Sequence, residues 1–103
     1  MIHMAYYASP DERDRLIDGL RALAEFLQDH TDVPAPRWAD VLVFPPDGTN
    51  EEERAEIDAI ASRTGTATSE SPGGHYSVCL AFGPVAYRAI AIPETRESGE
   101  EGK

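Results

Sequence analysis

The stretch Ser71–Pro93, SPGGHYSVCLAFGPVAYRAIAIP, decides the fold because it holds the two best strand patterns of the chain. His75–Phe82 and Val85–Ile92 are rich in β-branched and aromatic residues, as strands are. Between them Gly83 and Pro84 are typical of a tight turn, since glycine is free to take a positive φ. We therefore predict an antiparallel β-hairpin at this position.

The alternation of side chains along this hairpin predicts two different faces. With a two-residue turn, Phe82 pairs with Val85, and every second residue then points to the same side of the sheet. We expect the more apolar and aromatic face to lie under the helices of the fold. Its members are Tyr76, Val78, Leu80, Phe82, Val85, Tyr87, Ala89 and Ala91.

The other face is the candidate site. Cys79 opposite Arg88 is its one chemically suggestive pair, because a guanidinium stabilises a nearby thiolate. His75, the only base on this face, lies about 13 Å along the strand from Cys79 at about 3.3 Å per residue. We therefore favour a buried, unreactive Cys79. Ile90 and Ile92 on this face should need cover, and we expect a partner to provide it, most simply a second copy of the chain. The predicted interface or ligand face comprises His75, Ser77, Cys79, Arg88, Ile90 and Ile92.

Upstream of the hairpin, a capping signal predicts an amphipathic helix. Ser9 and Glu12 form a capping box around Pro10, and the helix should end near Asp29 or His30. The following TDVPAPRW is predicted to be an extended linker because of its prolines. The apolar residues that recur at helical spacing are Leu16, Ile17, Leu20, Leu23, Ala24 and Leu27.

The middle of the chain predicts a strand, a helix and a weak strand. Asp40–Phe44 is an apolar run typical of a strand buried on both faces. Thr49 or Asn50 should cap a second helix that stops at Gly65, with Ile57, Ile60 and Ala61 as its apolar stripe. Thr66–Glu70 is expected to be an edge strand, and these three elements could form a right-handed crossover unit.

The predicted fold class is therefore α/β (α+β) with the order α-β-α-β-β-β. Two helices should pack on one face of a small mixed sheet that ends in the C-terminal hairpin, giving a two-layer sandwich. Residues 1–93 are assigned to a single domain, because 103 residues suffice for only one. Residues 94–103 contain no apolar side chain and are predicted to be a disordered acidic tail.

The overall charge limits the classes of partner. With 19 acidic and 9 basic residues the chain carries −10, which repels nucleic-acid backbones and anionic membranes. No apolar run is long enough to span a membrane and no secretory signal is present, so we expect a cytoplasmic protein. An acidic DNA-mimic protein is one alternative, although arginines interrupt the negative charge on both helices.

Catalytic and metal-binding motifs are missing from the sequence. The histidines are not at metal-ligand spacing, the single cysteine cannot form an internal disulfide, and no glycine-rich phosphate loop occurs. No nucleophile can be matched with a base. We therefore predict no cofactor, no metal and no enzymatic activity.

Most of the chain resembles a group of small uncharacterised proteins from high-GC Gram-positive bacteria. The resemblance covers about Ala5 to Pro93 and is most distinctive in FGPVAYRAIAIP. It implies no catalytic residues. The sequence thus predicts a small acidic protein-interaction or regulatory accessory, homodimeric or bound to another protein. The alternatives are a small-molecule-binding module that uses the hairpin face and the DNA mimic.

Overall fold

The computed structural model describes residues 7–93 and has the predicted element order, α-β-α-β-β-β. The predicted tail, residues 94–103, lies outside this part of the chain. Each element lies within a few residues of the bounds that its sequence signals indicate. The elements are α1 Pro10–Asp29, β1 Ala39–Val43, α2 Asn50–Thr64, β2 Thr68–Glu70, β3 Tyr76–Phe82 and β4 Val85–Ala91.

The sheet is mixed, with the strand order β1-β4-β3-β2. The hairpin of β3 and β4 has the predicted register, with Phe82 paired to Val85 and Cys79 paired to Arg88. Gly83 takes a φ of 65° in the turn, where a side chain would strain the backbone. The two-residue turn and the alternation of side chains along the strands therefore determine the register of the β3–β4 hairpin.

The placement of β1 differs from the prediction. It pairs only with β4, in parallel, so it is an edge strand and not a strand buried on both faces. Leu42 is 51% exposed as a result. In the expected crossover unit, β2 runs parallel to β1, and β4 and β3 lie between these two strands.

The core lies between α2 and one face of the sheet. Ile57, Ile60 and Ala61 are the buried residues of α2, as its pattern predicts. They cluster with buried residues of β3 and β4, and half-buried aromatic and aliphatic side chains surround the cluster. The sheet contributes Val78, Ala89 and Ala91 to the buried cluster, with Val43, Tyr76, Leu80 and Tyr87 around it.

Both helices begin with a capping box, of which the sequence predicted the one at Ser9 and, for α2, only a cap at Thr49 or Asn50. The Ser9 hydroxyl accepts a hydrogen bond from the Glu12 amide, and the Glu12 carboxylate accepts one from the Ser9 amide. Thr49 and Glu52 repeat this arrangement at the start of α2, which ends at Gly65 in the left-handed region. The boundaries are therefore set by local chemistry that satisfies otherwise unpaired amides.

The packing of α1 corrects the prediction that two helices cover one face of the sheet. Only α2 contacts the sheet, and α1 contacts no other helix or strand of residues 7–93. None of its residues is buried. An amphipathic pattern predicts that the apolar side of a helix needs cover but does not say what provides it. For α1, no element within residues 7–93 provides it.

Candidate functional site

Two apolar surfaces have no covering element within residues 7–93, and they are the candidate sites. The first is the apolar side of α1, which we call the α1 stripe. Its members are between 37% and 53% exposed, apart from the half-buried Leu27. The α1 stripe comprises Leu16, Ile17, Leu20, Leu23, Phe26 and Leu27.

The α1 stripe ends in an ordered aromatic contact. The ring of Phe26 stacks on the ring of His30 with their centroids 4.3 Å apart. The Phe26 carbonyl accepts a hydrogen bond from the His30 amide, and His30 Nδ1 lies 2.9 Å from the same oxygen. These contacts hold the large ring at the end of the stripe, where 43% of Phe26 stays exposed.

The other end of α1 is tied to the domain by Tyr7. Its hydroxyl donates a 2.9 Å hydrogen bond to Glu56 Oε2 on α2. Partial burial raises the pKa of the Tyr7 phenol well above its ordinary value, and the hydrogen bond to Glu56 raises it further. No sequence signal indicated this contact, because it joins residues 49 positions apart.

The second uncovered surface is the sheet face opposite α2, which we call the open sheet face. The register confirms that Cys79 and Arg88 are directly opposite, and that Ser77 is opposite Ile90. No helix of residues 7–93 lies on this face, and Ile92 beside it is 47% exposed. The open sheet face comprises the predicted residues His75, Ser77, Cys79, Arg88, Ile90 and Ile92, together with Asp40 and Leu42 from β1.

Asp40 is the charged residue of this face that the sequence did not indicate. Its Oδ2 lies 3.6 Å from Nη2 of Arg88, because parallel pairing sets β1 beside β4. Both side chains are 35% exposed, so this ion pair contributes little to stability. Its effect is to hold the Arg88 guanidinium near a carboxylate of the neighbouring strand.

The open sheet face brings no catalytic group together. His75 precedes β3, four positions before Cys79, and its amide donates a hydrogen bond to the Ser71 hydroxyl at 3.2 Å. Within residues 7–93, no group of three or more His, Cys, Asp or Glu side chains is placed to hold a metal ion. The face presents apolar and polar side chains for contact, with Cys79 half-buried among them.

A polar cluster between α2 and β2 was also missed by sequence reasoning. Tyr76 donates a 2.6 Å hydrogen bond to Asp58 and lies 3.0 Å from the Thr68 hydroxyl. The Arg54 guanidinium lies 4.1 Å from the centre of the Tyr76 ring, and its Nη2 lies 2.9 Å from Glu70 Oε1. This hydrogen bond holds the pKa of the Glu70 carboxyl below its usual range. The cluster fastens the short edge strand to α2.

A cavity of about 210 Å³ opens beside the start of α2. Ligand sites of drug-sized molecules usually measure about 300–1,000 Å³, so this one is small. It also lies away from the hairpin face that the small-molecule alternative would use. Its lining consists of Asn50, Glu53, Arg54, Gly74, Ala91 and Pro93.

Comparison with protein families, curated proteins and solved structures returns no match to this chain. The resemblance to small proteins of high-GC Gram-positive bacteria therefore stays an expectation. None of the helices within residues 7–93 has the length and apolar character needed to cross a membrane. The two uncovered surfaces are therefore the features of the described chain that bear on its function.

Proposed function

We propose that this chain is a small protein-interaction accessory that binds other protein chains through the α1 stripe. The observation that carries the proposal is the state of α1. It is a helix of 20 residues with a complete capping box and an apolar side, yet it contacts no other element of the described chain.

The energetics of α1 favour a partner. Isolated helices of about 12–15 residues or fewer are marginal in water, and longer ones gain most of their stability from packing. Burying the exposed half of a leucine side chain contributes about 1 kcal/mol. Summed over the α1 stripe and the apolar surface of the partner that covers it, this gain can offset the free energy lost on association, about 4–15 kcal/mol. The helix is therefore stabilised when a partner covers it.

The charge of the chain favours a protein partner over nucleic acid or a membrane. The outer side of α1 carries Asp11, Asp18 and Glu25, and the whole chain carries −10. Such a surface repels phosphate groups and anionic lipids. Arginines at positions 13, 15 and 21 interrupt the negative charge of α1, which argues against imitation of a DNA phosphate array. Binding through the apolar α1 stripe is therefore favoured over DNA mimicry. As part of the proposal, the chain acts in the cytoplasm, as a binding protein and not as an enzyme.

The open sheet face is the second surface available for contacts. Leu42 and Ile92 on it are about half exposed, and Ile90 and Cys79 are half-buried between them. A partner on this face would bury less apolar area than one on the α1 stripe, because charged and small polar side chains share it. We therefore assign the principal contact to α1.

The test compares the proteins that co-purify with two matched variants after expression in a native host. Leu20→Arg/Leu23→Arg introduces charge into the α1 stripe and changes the net charge by two units. Asp18→Asn/Glu25→Gln makes the same change in net charge on the outer side of α1. The stripe variant should lose the bound chains, which include other copies of the chain, and the control should retain them. Equal retention by both variants would refute the proposal.

A further inference from the structure

The leucines of the α1 stripe have the spacing of a paired helix. Leu16, Leu20, Leu23 and Leu27 follow one another at intervals of four, three and four residues. This is the spacing of the inward positions in a two-stranded coiled coil. The side of α1 that carries this seam faces no other described element, so its counterpart must come from outside the described chain.

We propose that the chain forms a homodimer in which two α1 helices pair in antiparallel orientation. The inference rests on the proposed function and names the partner as a second copy. Leu16 of each copy then lies against Leu27 of the other, and Leu20 lies against Leu23. This register places every leucine of the seam opposite another leucine.

The residues that flank the seam fit this orientation by size. Gly19 weakens the middle of a helix, and a side chain there would meet only open space within the chain. In the antiparallel pair, the large Phe26 of the second copy lies beside Gly19 and fills that space. On the other flank, Ile17 lies beside Ala24. A large residue thus faces a small one on both sides.

Charge complementarity favours the same arrangement. At the outer edge of the Gly19 flank, Arg15 of each copy comes level with Asp29 of the other. A parallel pair would set Gly19 beside Ala24, which leaves a gap, and would set the Glu12 carboxylate beside Ile17. The antiparallel pair avoids both defects.

The exposed area of the stripe places the pair among small interfaces, which are usually weak. The exposed side chains of the stripe, each 37–53% accessible, present roughly 450 Å² per chain if a large apolar side chain has about 200 Å². A standard interface buries about 800 Å² per partner. The dimer should therefore be of moderate affinity, with dissociation in the micromolar range.

Sedimentation equilibrium tests the size complementarity. Gly19→Leu makes α1 a better helix former but fills the space that Phe26 of the second copy needs. We expect it to weaken the dimer at least tenfold. Adding Phe26→Ala to Gly19→Leu should restore the dissociation constant to within about threefold, and Asp18→Ala on the outer side should leave it unchanged. A Gly19→Leu dimer as tight as the wild type would overturn the inference.

Disulfide trapping tests the orientation, in a Cys79→Ser background that removes the native thiol. Oxidation of a mixture of Leu16→Cys and Leu27→Cys chains should give a covalent heterodimer, because the antiparallel pair brings these positions within bonding range. Each variant alone should give none. Covalent homodimers of Leu16→Cys alone would contradict the antiparallel orientation.

The oligomeric state of two further variants separates this inference from the proposed function. A dimer that survives Leu20→Arg/Leu23→Arg but is lost in Ile90→Asp would place the contact on the open sheet face and overturn the inference. A wild-type chain that stays monomeric at millimolar concentration would overturn it as well. The proposed function would still stand in that case if the stripe variant lost a different bound protein in the co-purification experiment.

Discussion

The hydroxyl of Tyr7 donates a hydrogen bond of 2.9 Å to Glu56 and thereby joins the start of α1 to the middle of α2. It is the side-chain hydrogen bond that connects the N-terminal side of α1 to the rest of the described chain. From this point α1 extends along the chain without packing on the sheet.

Removal of this bond should produce a pH-dependent loss of stability. Because the folded state raises the pKa of Tyr7, its contribution is complete below the ordinary value of about 10 and is lost as the pH rises above it. Tyr7→Phe should lower the free energy of unfolding by about 0.5 kcal/mol at pH 7, a small effect because the site is partly exposed. Urea unfolding of both proteins between pH 7 and 11 measures the difference, which should shrink above pH 10. A difference that stays constant over this range would contradict the account.

Replacing the capping residue by alanine should affect the stability of the protein differently at the two helices. Thr49→Ala removes the cap of α2, which packs on the core, and should lower the global free energy of unfolding by about 1 kcal/mol. Ser9→Ala removes the equivalent cap of α1. In dilute protein it should reduce the helical circular dichroism signal and leave the urea midpoint unchanged, because α1 supports no other element. Equal shifts of the midpoint in both variants would mean that α1 is packed on the domain.

The ion pair between Arg54 and Glu70 should control both a titration and the order of β2. The Arg54 hydrogen bond lowers the pKa of Glu70, so its stabilising contribution is present above the ordinary value of about 4.3 and is lost as the pH falls through the lowered one. In Arg54→Ala, the Glu70 carboxyl should titrate near its ordinary value by NMR, and the amides of β2 should exchange faster. Arg63→Ala removes the same charge from the same helix and serves as the control. An unchanged Glu70 titration in Arg54→Ala would refute this interpretation.

Shortening a buried side chain of the core should lower the free energy of unfolding strongly. Ile57 is fully buried between α2 and the sheet, so Ile57→Ala should lower the free energy of unfolding by about 2–5 kcal/mol. Ile92→Ala, at a half-exposed position on the open sheet face, is the control and should cost less than about 1 kcal/mol. If urea unfolding shows a similar loss in the free energy of unfolding for both variants, the open sheet face is covered as thoroughly as the core.

Local signals in the sequence predicted the local structure well. The capping boxes depend on side chains three residues apart, and the hairpin register depends on the two-residue turn at Gly83 and Pro84. The stripe of Ile57, Ile60 and Ala61 also identified the buried side of α2. In each case the determining contacts lie close together along the chain.

Contacts between distant residues were not predictable in the same way. The apolar run of β1 does not indicate which strands will flank it, so its edge position was missed. The contacts of Tyr76 with Asp58 and of Arg54 with Glu70 join residues 18 and 16 positions apart and leave no mark on the pattern. The α1 stripe predicted that the helix needs cover, but its pattern is the same whether the cover is the sheet or a partner.

Hydrogen exchange of α1 at increasing protein concentration shows whether this helix is covered by its own chain or by a second copy. In dilute, monomeric protein, the α1 amides should exchange much faster than those around Ile57 in α2, because no tertiary contact protects them. Their protection should rise with concentration in the wild type and fail to rise in Leu20→Arg/Leu23→Arg. If the α1 amides of the dilute monomer are as protected as those of α2, the helix is covered by its own chain and the account is wrong.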